Sequence, residues 1–359
     1  MPYIPDSSHV TLLATLRRDR MLPASGEVIP QAGQHVEAVD VVARAVIPDE
    51  YRILDLAKHL EVSKDKTAAF MVKQNGDSVK KGELLAVRKT LMGLVVLPVA
   101  SPVDGVLVDS GKGKALVAAV SKPFELRAGM PGNVINRVEG RGVTIEATGA
   151  LLQGVWGNGK DHYSVMRVLG NGPRNPLVAD QLEMNLRGVI LAVGTLQDDS
   201  AFKQIAEVGI AGLIVGSLKS DLLPALRKWS IPVMVTDGFG AQGFSAPAYT
   251  LLASNTGREL WLNAPGLNHY TGARPEVIIP LPTPGQAPGV PAEGRPLDVG
   301  QRVRVLRGNA LGQVGTVAAL SDRTIALPSG ARAKVALVKF DEANLPPASV
   351  PFANLEILE

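Results

Sequence analysis

The spacing of apolar and polar positions changes character twice along the chain. Up to about residue 170 the apolar runs are short and broken by Gly, Pro and Asp, as in SPVDGVLVDSGKGKALVAAV and GRGVTIEATGALLQGVWGNG. That is the pattern of strands joined by tight turns. From residue 187 the runs become continuous, GVILAVG, AGLIVGS and IPVMVTD, and alternate with the amphipathic stretches DDSAFKQIAEVG and SDLLPALRKW. Strands buried on both faces need helices to cover them, so this segment is predicted as a βαβαβ unit with three parallel strands. After TPGQAPGVPAEGRP, which has almost nothing to bury, valines alternate with arginines in LDVGQRVRVLRGNALGQVGTVAAL, and short strands run on to the end. Within the first β region, DEYRILDLAKHLEVSKDK sets Ile53, Leu56, Ala57 and Leu60 at helical spacing. With Pro48 and Asp49 as start signals, a short inserted helix is predicted there.

The first region also contains an internal repeat. GQHVEAVDVVA (residues 33–43) and GDSVKKGELLA (76–86) share Gly-x-x-Val-x-x-x-acid-apolar-apolar-Ala at identical spacing, which predicts two related β units. Each Gly permits a tight turn and each Val enters a core. The pairing of VKQNGDSVKKGELLA with ASPVDGVLV resembles the barrel-sandwich hybrid fold of biotinyl and lipoyl domains, over residues 23–125. Carriers of that family hold a modified Lys in a hairpin about ten residues after the Gly corresponding to Gly82. Here the vicinity reads RKTLMGL, where Lys89 comes too early and Met92 lies near the expected position, so the resemblance implies a noncarrier and no cofactor.

The C-terminal residues LDVGQRVRVLRGNALGQVGTV resemble a KOW motif, the strand–loop–strand element of small barrels in ribosomal proteins and transcription elongation factors. The resemblance implies contact with RNA or with a protein, at Arg302, Arg304, Arg307 and Asn309. Alternating Arg is also what one solvated strand face looks like. Residues 297–359 hold seven Lys or Arg against six Asp or Glu, so a protein partner competes with RNA on nearly equal terms.

The fold class read from these patterns is multidomain, β plus α/β. An N-terminal segment (1–22) leads into a barrel-sandwich hybrid β domain with an inserted helix and extra hairpins (23–169). A small parallel βαβαβ domain (170–282), a Pro/Gly linker (283–296) and an autonomous KOW-like barrel (297–359) follow. The order resembles that of bacterial multidomain proteins of this build, and that resemblance implies no particular activity.

Composition narrows the chemistry. Apolar residues make up 46% and charged residues 20% of the 359, a globular balance. The absence of Cys removes disulfides, thiolate nucleophiles and thiol-ligated metals. A formal charge of +3 is a weak electrostatic footprint for nucleic acid. The first twenty residues lack the order of a secretory signal and no apolar run reaches the roughly 20 residues of a membrane span, so a cytoplasmic protein with no membrane partner is expected.

Ligands of open α/β sheets bind outside the carboxyl ends of the strands, which selects Thr195, Asp198, Asp199, Ser217, Thr236 and Asp237 as a candidate ligand rim. Asp198, Asp199 and Ser200 serve equally as helix caps, and Asp237-Gly238 as a turn. Histidines 9, 35, 59, 162 and 269 are scattered, with no metal or acyl-transfer motif to organise them. No catalytic or metal residue is assigned. The function expected is that of a non-catalytic binding or scaffolding protein whose C-terminal barrel contacts protein or RNA, with self-assembly open. The alternative is an enzyme or small-molecule sensor using the rim.

Overall fold

The computed structural model describes residues 3, 7–8, 10–48, 50–90, 95–119, 123–268, 272–282, 288–289, 295–342 and 345–358. His9, Asp49, Met92 and His269 lie outside them, as does most of the 283–296 linker. Strands hold 47% of the residues and helices 13%, so the fold is β-rich, and it is divided among several sheets.

The two repeat copies fold alike, down to single hydrogen bonds. Gly33 and Gly76, both at positive φ, donate their amides to Val134 O and Leu107 O, each at 2.7 Å. Val36 and Val79 are buried. The acid of the motif accepts the amide three residues before it, Glu37 N to Asp40 and Lys80 N to Glu83, both at 2.8 Å, which closes the polar turn and explains why an acid recurs there. In copy two the strands Leu84–Thr90 and Val95–Ala100 form a hairpin with Ala86 opposite Val99. Copy one pairs Val41–Ala45 with Phe124–Arg127, Ala43 opposite Leu126, with a register shift at the same place.

Copy two is therefore inserted at the tip of copy one's hairpin. It has its own core of Leu56, Leu60, Val79, Leu85, Leu107 and Val117, separate from the core around Val42, Met130 and Ile145. Among the described residues, the hydrogen bonds and ion pairs of 50–119 stay within that segment. Lys89 is an exposed strand residue opposite Val96.

The helix predicted from Asp49 begins later. Glu50–Asp55 is a strand paired along its length with Lys114–Ala119, and Asp55 caps helix α1 (Leu56–Leu60) by accepting from Lys58 N. Pairing to a neighbouring strand satisfies every second backbone group of the segment, which outweighs its helical spacing.

Strands Ile190–Leu196, Gly212–Leu218 and Val233–Phe239 are parallel neighbours, as the continuous apolar runs predict. Helices α2 (Phe202–Val208) and α3 (Leu223–Leu226) cover the face of Leu191, Val193, Leu213 and Val215. Helix α4 (Ala246–Ser254) covers the face of Ile190, Ala192, Ile214 and Met234. The boundary expected at 169/170 falls inside this sheet, because Lys160–Val168 pairs parallel to Ile190–Leu196. The sheet continues through Glu259–Ala264 and Glu276–Pro280 to Gly142–Gln153, whose other partners are Gly132–Val138 and Val10–Met21. Val10–Met21 of the N-terminal segment is thus a twelve-residue strand of the main sheet.

The C-terminal sheet, of six strands, includes Ser7–Ser8, which pairs in parallel with Leu355–Leu358. Leu297 N donates to Tyr3 O, and Tyr3 stacks at a tilt on Phe352. Linker residues Pro288 and Gly289 accept from Thr15 on the first long strand. The expectation of an autonomous tethered module therefore gives way to a sheet stapled by the other end of the chain. A fragment of residues 297–359 alone is expected to show a broad, low-amplitude thermal transition by circular dichroism. A sharp transition at the full chain's midpoint would mean that the staple is dispensable.

Candidate functional site

The rim and the arginine strand, read as separate sites in the sequence, meet. Strand Arg302–Val305 sends Arg304 into the space beyond the carboxyl end of Val233–Phe239. Its Nη1 lies 2.6 Å from Asp237 Oδ1 and 3.1 Å from Thr236 O, and its Nη2 lies 2.6 Å from Glu356 Oε2. Arg274 Nη1 holds the other oxygen of Glu356 at 2.8 Å. The side chains of Arg304, Asp237 and Glu356 are only 3%, 3% and 2% exposed. Burial works against the Arg304 charge, but Glu356 and Asp237 more than offset it and hold its pKa above the ordinary arginine value.

Of the remaining rim groups, Thr236 and Ser217 also spend their side-chain polar atoms on the chain itself. Thr236 Oγ1 donates to Asp237 Oδ2 at 2.6 Å. Ser217 Oγ accepts from Gly243 N at 3.0 Å and donates to Gly240 O. Thr195 is buried beneath the segment that follows Lys160–Val168, donating its amide to Asn175 O. The loops lie directly on the strand ends: a Cβ at Gly194 would fall 2.5 Å from Pro173 O, and one at Gly216 2.3 Å from Phe244 N. Asp198 stands apart on the surface, where the hydroxyl and amide of Ser200 hold its carboxyl below the usual range. Asp199 is exposed, and its carbonyl accepts from Phe202 N as α2 begins.

The four candidates of the C-terminal strand are split. Arg302 is exposed and paired with Asp341 at 2.5 Å, and Arg307 and Asn309 are exposed in the following turn. Arg304, expected as a phosphate contact, faces inward, because Val303, Arg304 and Val305 are all buried between the C-terminal core and the α/β sheet. Two partners of this cluster were missed. Glu356 is a lone charge in the run Leu355-Glu356-Ile357-Leu358, just as Arg304 is a lone charge between two valines. A single charge in a short apolar strand signals a buried partner of opposite sign.

Beside the cluster, the two walls leave a crevice of about 430 Å³, lined by Pro173, Arg174, Gln242 and Ser245 on one side and Gln313 and Glu342 on the other. Arg174 pairs with Glu342 across it at 3.1 Å. Ser245 holds the N-cap position of α4 in the usual extended conformation, yet it makes no side-chain cap bond, and its buried Oγ has no hydrogen-bond partner among the described residues. Among the described residues no group of three or more His, Asp or Glu is placed to hold a metal ion, and no helix is long and apolar enough to cross a membrane. No protein-family model matches the chain, and no curated protein matches it.

Proposed function

We propose that this chain is a non-catalytic binding or scaffolding protein in which the α/β sheet and the C-terminal barrel form one base and the inserted β unit is the partner-binding arm. The observation that carries this reading is the closed carboxyl edge. Asp237, Thr236 and Ser217, which an enzyme or sensor would aim at a substrate there, are satisfied by Arg304, by each other and by the adjacent loop. In this reading the two β units are noncarrier barrel-sandwich hybrids and the C-terminal sheet is a KOW-like barrel whose docking face is taken by its own chain. With Arg304 turned inward, the RNA alternative rests on Arg302, Arg307 and Asn309 alone.

The arm favours a protein partner. Its strand Glu50–Asp55 lies at the end of its sheet, with Tyr51 and Ile53 exposed on one face, and an open edge beside apolar side chains accepts an added strand. The internal repeat supplies the test, because in copy two only four residues separate the strands that correspond to this hairpin. Replacing residues 48–121 with a four-residue Gly-containing turn is expected to leave the base folded, with an unchanged far-ultraviolet spectrum after allowance for the lost residues. The same change abolishes capture of proteins retained by the full chain from native lysate. Tyr51→Lys with Ile53→Lys in the full chain should do likewise. Capture that survives both changes sinks the assignment to the arm.

A further inference from the structure

We propose that the crevice between the α/β sheet and the C-terminal sheet binds the phosphate group of a small molecule, seated on the N-terminus of α4. A helix N-terminus presents unpaired amides and a partial positive charge. Where the N-cap residue is Ser, Thr, Asp or Asn, its side chain characteristically takes one of those amides, as Asp55 does at α1. Here the cap position carries Ser245, nine-tenths buried, whose hydroxyl bonds neither to the helix nor to any other described residue. Leaving a buried hydroxyl unpaired costs stability, so its persistence at the floor of a crevice points to a partner that arrives with a ligand. Pro247 removes the amide at the second helical position, and Tyr249 N is used by Ser245 O, which leaves the amides of Ala246 and Ala248 with the Ser245 hydroxyl as the donor set.

The charges of the walls allow an anion there. Asp341 and Glu342 carry negative charge, but Arg302 and Arg174 pair with them one to one, so the helix terminus decides the sign of the local field. The volume exceeds what one phosphate fills and lies within the range of small-molecule sites, with Phe244 and Pro173 supplying apolar wall for the rest of the molecule. The site is distinct from the arm, so the partner-binding reading stands or falls separately.

The test is a titration of the full chain with inorganic phosphate, followed by amide chemical shifts, with chloride matched to hold ionic strength constant. Saturable shifts at Ala246 and Ala248 with phosphate and not with chloride are expected. Ser245→Asp places a carboxylate where the phosphate would sit and supplies the missing cap. It should leave the melting temperature unchanged or higher and weaken phosphate by more than about tenfold, while Glu342→Gln, by removing a like charge, tightens it severalfold. Ribose 5-phosphate is titrated alongside. Tighter binding than inorganic phosphate assigns the crevice to an organic phosphate, and equal binding assigns it to the free ion. Shifts that do not saturate, or that are the same in the Ser245→Asp protein, overturn the proposal.

Discussion

Arg304→Ala is expected to destabilise the full chain by about 3–5 kcal/mol, the largest effect of any single charge removal here. The change takes the shared guanidinium away from the Asp237 and Glu356 carboxylates, which are buried between the α/β sheet and the C-terminal sheet, while the Thr236 hydroxyl stays on Asp237 and Arg274 on the far oxygen of Glu356. Most of the loss is the penalty of burying those carboxylates without their shared cation and not the intrinsic worth of the pairs. Two comparisons separate the causes. Arg302→Ala removes an exposed pair from the same strand and should cost no more than about 1 kcal/mol. Arg304→Met combined with Asp237→Asn and Glu356→Gln removes the charges together and should recover most of the loss of Arg304→Ala. Urea unfolding with two probes, tryptophan fluorescence and far-ultraviolet circular dichroism, measures this. A loss for Arg304→Ala as small as that for Arg302→Ala would mean that the cluster does not hold the two sheets together.

Trp261→Ala should cost a similar amount, about 3–5 kcal/mol, by the loss of a large buried side chain and the cavity it leaves. Trp261 comes from the strand Glu259–Ala264 of the α/β sheet but is buried in the core of the first β unit, so it ties the two together. Its indole N–H donates to Asp161 at 3.1 Å, and the Arg20 guanidinium lies 4.9 Å above the ring. Gly129 closes the other side at φ +83°, where an added Cβ would stand 2.7 Å from the ring. Gly129→Val should therefore destabilise strongly too, through both the left-handed backbone and the collision. Combined with Trp261→Ala, the collision is relieved, and the double variant should lose less than the sum of the two singles. Strict additivity would place the cost of Gly129→Val in the backbone alone.

How much of this was legible in the chain can be judged from particular residues. The repeat was, because the Gly, Val and acid at matched spacing each have a local task that recurs: a positive φ, a core contact and an amide acceptor. The three parallel strands were, because strands covered on both faces must be apolar throughout. The helix is expected too early, since Ile53 fits a helical stripe with Leu56, Ala57 and Leu60 as well as it fits a strand over so short a window. Of the candidate site, Thr236, Asp237 and Arg304 were each singled out, but as members of two different sites. Ser245 and Arg274 were not, because nothing local distinguishes an uncapped serine or a loop arginine from its ordinary counterpart, and the lone charge of Glu356 signals a buried partner without saying which one.

What the sequence determined by itself is the set of elements whose burial depends on near neighbours: the turns, the acid-capped repeats and the buried parallel strands. Only the tertiary structure decided that copy two sits in the hairpin of copy one, since that rests on Ala43 finding Leu126 across an intervening folded unit. It also decided that Ser7–Ser8 joins the far end of the chain and that Arg304 meets Asp237. A Val-Arg-Val strand has the same pattern whether its arginine faces water or a carboxylate from another sheet, because periodicity records which side chains share a face and not what lies opposite that face.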